Sequence, residues 1–199
     1  DCDSMHVSTS RHTARFVCTT DQDAAQIVPF YAGAMSEARE IELGPVAQRC
    51  GGLDLVVIAP NDPLAMVRHT QECRTRGYAF AADPSQQLAF MDGASIRKLV
   101  DDATYLFTNE YESHLIEQKT GWSADEIAEK VQTRVITHSE DGASITTRGQ
   151  SPIHVDAVPA TQVVDPTGVG DAFRAGFLAG LAWGLGHERC GQLGALLAT

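Results

Sequence analysis

No run of apolar residues in this 199-residue sequence is long enough to cross a bilayer. The most apolar stretch, Ala175 to Gly186, covers about a dozen residues where about 20 are needed, so a membrane span is not expected. Paired cysteines are missing too. The five (Cys2, Cys18, Cys50, Cys73 and Cys190) are odd in number and contain no Cys-x-x-Cys spacing. A disulfide scaffold and a zinc site are thereby disfavoured; a reducing, cytoplasmic setting is expected, with the thiols as small buried or partly buried side chains. The seven histidines show no metal-ligand spacing. Basic charge is scarce: 15 Lys and Arg face 26 Asp and Glu, a net charge of −11. Such a chain repels a phosphate backbone, which argues against nucleic-acid binding but leaves room for one bound nucleotide. Repeats and low-complexity tracts are absent. The start, Asp-Cys-Asp-Ser-Met-His, has neither the basic nor the apolar part of a secretory leader. It also lacks an initiating methionine, and the sequence stops at Thr199 inside an apolar helical pattern. It reads as a piece of a longer protein.

What is present is an ordinary globular composition, 43% hydrophobic and 21% charged, sufficient for one α/β domain with a core. Arg11–Thr20 alternates loosely as a strand, and Ile27–Tyr31, beside Pro29 and Gly33, suggests an edge strand or loop. Met35–Cys50 is helix-prone, with Gly44-Pro45 expected to break it. Leu53–Ala59, apolar but for Asp54, reads as a strand buried on both faces. Asp62 caps a helix with Pro63 at its first position, running to Arg76 and ended by Gly77. Strands at Tyr78–Ala82 and Tyr105–Thr108 then alternate with helices at Ile96–Val100, Glu110–Lys119 and Asp125–Val131, the last capped by Ser123. This rhythm predicts a mostly parallel sheet covered on both faces. Short β segments at Arg134–Thr137, Ser144–Thr147 and Ile153–Val158 turn at Asp141-Gly142 and Arg148-Gly149. A long helix spans about Val169–Trp183. Its Gly176, Gly180 and Gly184, four apart, form a bare stripe for close packing.

The chemistry concentrates where that helix begins, in Asp165-Pro-Thr-Gly-Val-Gly-Asp171. The first N–H groups of a helix lack intrahelical partners and carry partial positive charge, so a helix tip is an anion site. Gly168 and Gly170 let an anion approach the backbone. A carboxylate beside such a tip repels a resident phosphate. Asp171 fits better as the acceptor of a proton from a hydroxyl that attacks a phosphoryl group held there. No Gly-Lys-Ser/Thr follows, which rules out a Walker A loop, and Phe173 stands where a dinucleotide fingerprint needs glycine. A plain structural turn is the competing reading.

This stretch resembles the second signature of the ribokinase (PfkB) family of sugar and nucleoside kinases, Asp-Thr-x-Gly-Ala-Gly-Asp, with Pro166 and Val169 departing from it. The resemblance implies a three-layer αβα fold with a mostly parallel central sheet and a small β lid at about 12–32, the nucleotide-binding core spanning 51–199. It implies Asp171 as general base and the N–H groups of Gly168, Val169 and Gly170 as anion hole, with Thr167 beside the nucleotide. Asn109-Glu110-Tyr111-Glu112 matches the family's Asn-x-x-Glu, which would put Asn109 near ATP and Glu112 on Mg²⁺; on residue types alone it is equally a capping box. Thr137-His-Ser-Glu-Asp-Gly142 parallels the nucleotide loop Thr-x-Gly-x-x-Gly, with Ser139 for the first glycine, and so nominates Thr137 and Gly142. Asp83-Pro-Ser-Gln-Gln87 stands where sugar kinases carry Asp-Pro-Asn-x-Arg; two adjacent amides suit a nucleobase edge. Together with the segments around Phe16 and Phe30, it resembles the actinobacterial adenosine kinases of the family. Phe16 and Phe30 would stack on adenine, with Gln86 and Gln87 near the nucleoside. The alternatives are a sugar kinase of ribose or fructose type and a nucleotide-binding module without activity. The family further implies ATP and Mg²⁺, often a monovalent cation, a small-molecule acceptor, and in many members a homodimer through lid strands.

Overall fold

A computed structural model describes residues 3–21, 26–160 and 167–199. Six strands form one sheet in the order β10-β9-β8-β7-β6-β5. β5 (Val56–Ile58), β6 (Phe80–Ala82), β7 (Tyr105–Asn109) and β8 (Thr133–Thr137) run parallel; β9 (Ala143–Thr147) and β10 (Ile153–Val155) add antiparallel pairs at one edge. Successive strand residues point to opposite faces. Phe80, Ala82 and Leu106 therefore enter one core, with Met66, Ile96, Leu99, Ile116 and Ile127. Ala81 and Phe107 enter the other, with Val135, Ile145, Phe173 and Phe177. The first core is closed by α2 (Pro63–Arg76), α3 (Gly93–Val100), α4 (Glu110–Thr120) and α5 (Ala124–Lys130), the second by α6 (Val169–Ala182) and α7 (His187–Leu197). Two cores on two faces of one sheet make the expected three layers.

The local signals act as their chemistry requires. Asp62 Oδ1 accepts from the Leu64 and Ala65 N–H groups at 3.1 and 3.0 Å. Gly77 leaves α2 in the left-handed conformation, φ 71°. Ser123 and Glu126 close a reciprocal capping box.

Several expectations are corrected. The break in the 35–50 segment falls at Ile41-Glu42 and not at Gly44-Pro45: a 3-10 segment ends at Glu40 and α1 covers Leu43–Cys50. Pro45 sits in the first turn of α1, where a missing N–H costs no intrahelical bond. β5 is an edge strand, with Val57 39% exposed, rather than a strand covered on both faces. The expected strand over 11–20 shrinks to two short pieces, β1 (Arg15–Phe16) and β2 (Thr19–Thr20). These pair antiparallel with β4 (Phe30–Tyr31) and β3 (Gln26–Ile27) as a small appendage, the lid. Cys73 and Cys190 are buried, but Cys50 is exposed.

The glycine stripe of α6 faces α7. A Cβ on Gly176 would lie 2.7 Å from the Leu193 carbonyl oxygen and 2.8 Å from Gly194 Cα; on Gly180 it would meet Cys190 Sγ at 2.9 Å. Gly184 lies outside the stripe, in the turn after α6 at φ 73° with open space around it. Gly176→Ala would gain about 1 kcal/mol of helix propensity. Overpacking costs about 1–3 kcal/mol, at the upper end here because backbone cannot swing aside. A lower melting temperature than wild type is expected, and a raised one would show that α6 and α7 can part freely.

Candidate active site

Three adjacent parallel strands, β6, β7 and β8, end at Ala82, Asn109 and Thr137. Open α/β sheets bind ligands beyond their carboxyl ends. A cavity of about 790 Å³ lies there, lined by Asp83, Asn109 and Thr137 from the strand ends. The start of α6 supplies Thr167, Gly168, Gly170 and Asp171, and the lid supplies Phe16 and Phe30.

The α6 tip is open. Gly168 caps the helix at φ 84°, a left-handed value that favours glycine, and nothing lies within 4 Å of a Cβ built on Gly168 or Gly170. The first helical bond is Ala172 N–H to Gly168 C=O at 2.9 Å. The N–H groups of Val169, Gly170 and Asp171 therefore have no acceptor within the helix. The tip is neither buried nor turned away from Asn109 and Glu112, which line the same cavity. Asp165 and Pro166 lie outside the described residues.

Asn109 Oδ1 accepts from the Glu112 N–H at 2.8 Å, and Glu112 Oε2 accepts from the Asn109 N–H at 2.9 Å. The capping box thus exists, and it stands on the cavity wall. Among the described residues no group of three or more His, Cys, Asp or Glu is arranged to hold a metal ion. Glu112 offers the cavity a single carboxylate, one oxygen of which serves the cap.

Phe16 and Phe30 are 55% and 52% exposed cross-strand partners, so they are not core residues. Gln86 and Gln87 line the same cavity. Gly142 and Val169 do not line the cavity. Gly142 serves the turn between β8 and β9, where a Cβ would collide with the Val155 carbonyl oxygen. Ser139, replacing the family glycine, adopts φ 54°, a left-handed value in which a Cβ is disfavoured.

Several lining residues have no counterpart among the expected site residues, Phe90, Arg174 and Thr108 among them. Phe90, three residues after Gln87, is 79% exposed at the cavity wall; flanked by Leu88, Ala89 and Met91, it carried no sequence signal that set it apart from a core residue. Arg174 forms ion pairs with Asp83 and with Asp171, the latter at 2.6 Å. Burial draws the Arg174 guanidinium below its ordinary pKa. The Thr108 hydroxyl, also on the wall, is buried with no hydrogen-bond partner among the described residues.

The family pattern of the pfkB family carbohydrate kinases matches residues 1–199. A nucleoside kinase of Burkholderia thailandensis, solved in complex with inosine, is 39% identical with a TM-score of 0.88, covering 95% of this chain and 62% of that one. The same kinase in complex with ADP-inosine superposes with a TM-score of 0.85 over 95% of this chain and 58% of that one. A nucleoside kinase of Methanocaldococcus jannaschii is 27% identical over 198 residues, 98% of this chain and 62% of the relative. The chain spans less than two thirds of the length of each. With the family pattern running from its first residue to its last, the chain belongs to the pfkB family of carbohydrate kinases.

Proposed function

We propose that this chain carries the phosphoryl-transfer site of an ATP-dependent nucleoside kinase, with a purine nucleoside, adenosine or inosine, as acceptor. One observation carries the reading: a single cavity joins an open helix tip and its carboxylate to a pair of exposed aromatic rings. Phosphate chemistry suits the first end, and a nucleobase face suits the second. The volume falls within the usual range for small-molecule sites. The similarity to nucleoside kinases, one of them solved with inosine, supports a nucleoside over a free sugar.

In this mechanism the N–H groups at the α6 tip hold the transferred phosphoryl and stabilise its charge as it moves. Asp171 accepts the proton of the attacking hydroxyl; for adenosine this is the 5′-hydroxyl. Asn109, Thr137 and Thr167 border the nucleotide. A Mg²⁺ carried in with ATP fits the donor set, because this ion takes one or two carboxylates and fills its shell with phosphate oxygens and waters. Glu112 would hold it, and the ion would neutralise charge on the phosphates. Phosphorylation rates for adenosine, inosine, cytidine, ribose and fructose test the acceptor. A purine nucleoside is expected to lead, and preference for a free sugar would reverse the assignment.

Phe16→Ala tests the aromatic end. Base–aromatic stacking is worth about 1–3 kcal/mol, so nucleoside affinity should fall about 5- to 150-fold. ATP affinity should hold. Equal loss for both ligands, measured calorimetrically, would move Phe16 away from the acceptor.

A further inference from the structure

Asp171 lies in the first turn of α6, and its side chain is 72% exposed. An exposed carboxylate there samples several rotamers, whereas proton transfer needs its oxygen within about 0.5 Å of one position. One group removes that freedom. Arg174, three residues on and therefore on the same helix face, donates from Nη2 to Asp171 Oδ1 at 2.6 Å. Its Nη1 meets Oδ2 of Asp83 at the end of β6. Arg174 and Asp83 keep only 15% and 8% of their side-chain surface. Burying such a pair is no gain in stability by itself, because desolvation offsets the attraction. Its geometric effect is definite. A planar guanidinium locked at one end on the sheet presents a fixed donor at the other, to one oxygen of Asp171. In the proposed mechanism the second oxygen is the one that takes the proton of the acceptor hydroxyl.

We propose that Arg174, anchored by Asp83, is the positioning residue for Asp171. This rests on the reading of Asp171 as general base. Residues 83 and 174 come from different layers, so the pair also ties the α6 tip to the wall that carries Gln86 and Gln87.

The test is steady-state kinetics of Arg174→Met, Arg174→Lys and Asp171→Asn, with both Arg174 substitutions also made in the Asp171→Asn background. Arg174→Met is expected to lower kcat by about 10²-fold, the scale of a 1 Å misplacement, with the KM for ATP little changed. Arg174→Lys keeps a cation opposite the buried Asp83 and so preserves the fold, but it lacks the fork. It should share the kcat loss, and it carries the test if the Met variant does not fold. In the Asp171→Asn background either Arg174 substitution should add less than about threefold, because a residue acting through another has nothing left to position. Full activity in the Lys variant, or the same loss with and without the Asp171 carboxylate, overturns the proposal. If Asp171→Asn alone keeps its turnover, the general-base reading itself falls; a loss there with an independent loss at Arg174 sinks only the positioning role.

Discussion

Asp171→Asn is expected to lower kcat for nucleoside phosphorylation by about 10²–10⁴-fold while ATP still binds. The amide has nearly the shape of the carboxylate and can accept a hydrogen bond from the acceptor hydroxyl. It cannot take the proton. Binding of the triphosphate depends on other groups: the N–H donors of the α6 tip belong to the backbone and survive the change. Removing a negative charge from beside them lowers the repulsion a phosphate meets on arrival. ATP affinity, read by calorimetry, should therefore be equal or tighter while turnover collapses. That split separates a base from a binding residue, because a lost binding contact would raise Kd first. Unchanged turnover would leave the phosphoryl site intact but without a base, and would transfer the role to another group on the wall. A loss of ATP binding would instead mean that Asp171 helps to hold the tip open.

How much of this was legible depended on the range of the interaction. Local chemistry read well. Asp62, Gly77 and Ser123 cap or end helices through their own neighbours in sequence, and each does so in the structure. The Gly168–Asp171 turn was likewise legible as a helix start, because its signal is confined to a few residues. Gly44-Pro45 misled because proline interrupts a helix interior but is tolerated in a first turn, and the residues alone did not say which turn it occupied. β5 misled for another reason: a run such as Leu53–Ala59 records what a strand can bury, whereas its neighbour in the sheet is a tertiary fact. The pairing of Asp83 with Arg174 joins segments 91 positions apart, 174 − 83, with no periodicity to connect them. Each residue was visible inside its own motif; the contact between them was not. The exposed rings at Phe16 and Phe30 pair across β1 and β4, and aromatic residues by themselves did not distinguish a core from a cavity wall.

Phe177→Ala is expected to cost about 3–5 kcal/mol, the usual range for truncating a fully buried phenylalanine. Phe177 has no exposed surface, and four rings surround it. Phe107 and Tyr105 meet it edge-on, at centroid distances of 5.3 and 6.0 Å, while Phe173 and His187 stack at 6.4 and 6.1 Å. These neighbours belong to β7, α6 and α7, so the cavity left by alanine opens where sheet and helices join. Rigid rings on several sides cannot collapse into it, which favours the upper half of the range. A domain with about 5–15 kcal/mol of stability loses a large share of it; for this size the melting temperature should drop by about 6–20 °C. Phe177→Leu refills most of the volume and should recover more than half of that loss. The same packing seats α6 on the sheet, and the first turn of α6 carries Gly168, Gly170 and Asp171. Folded Phe177→Ala protein should accordingly bind ATP more weakly at temperatures well below its transition. Normal ATP affinity in that variant would mean that the tip is held by its own turn, independently of the helix behind it.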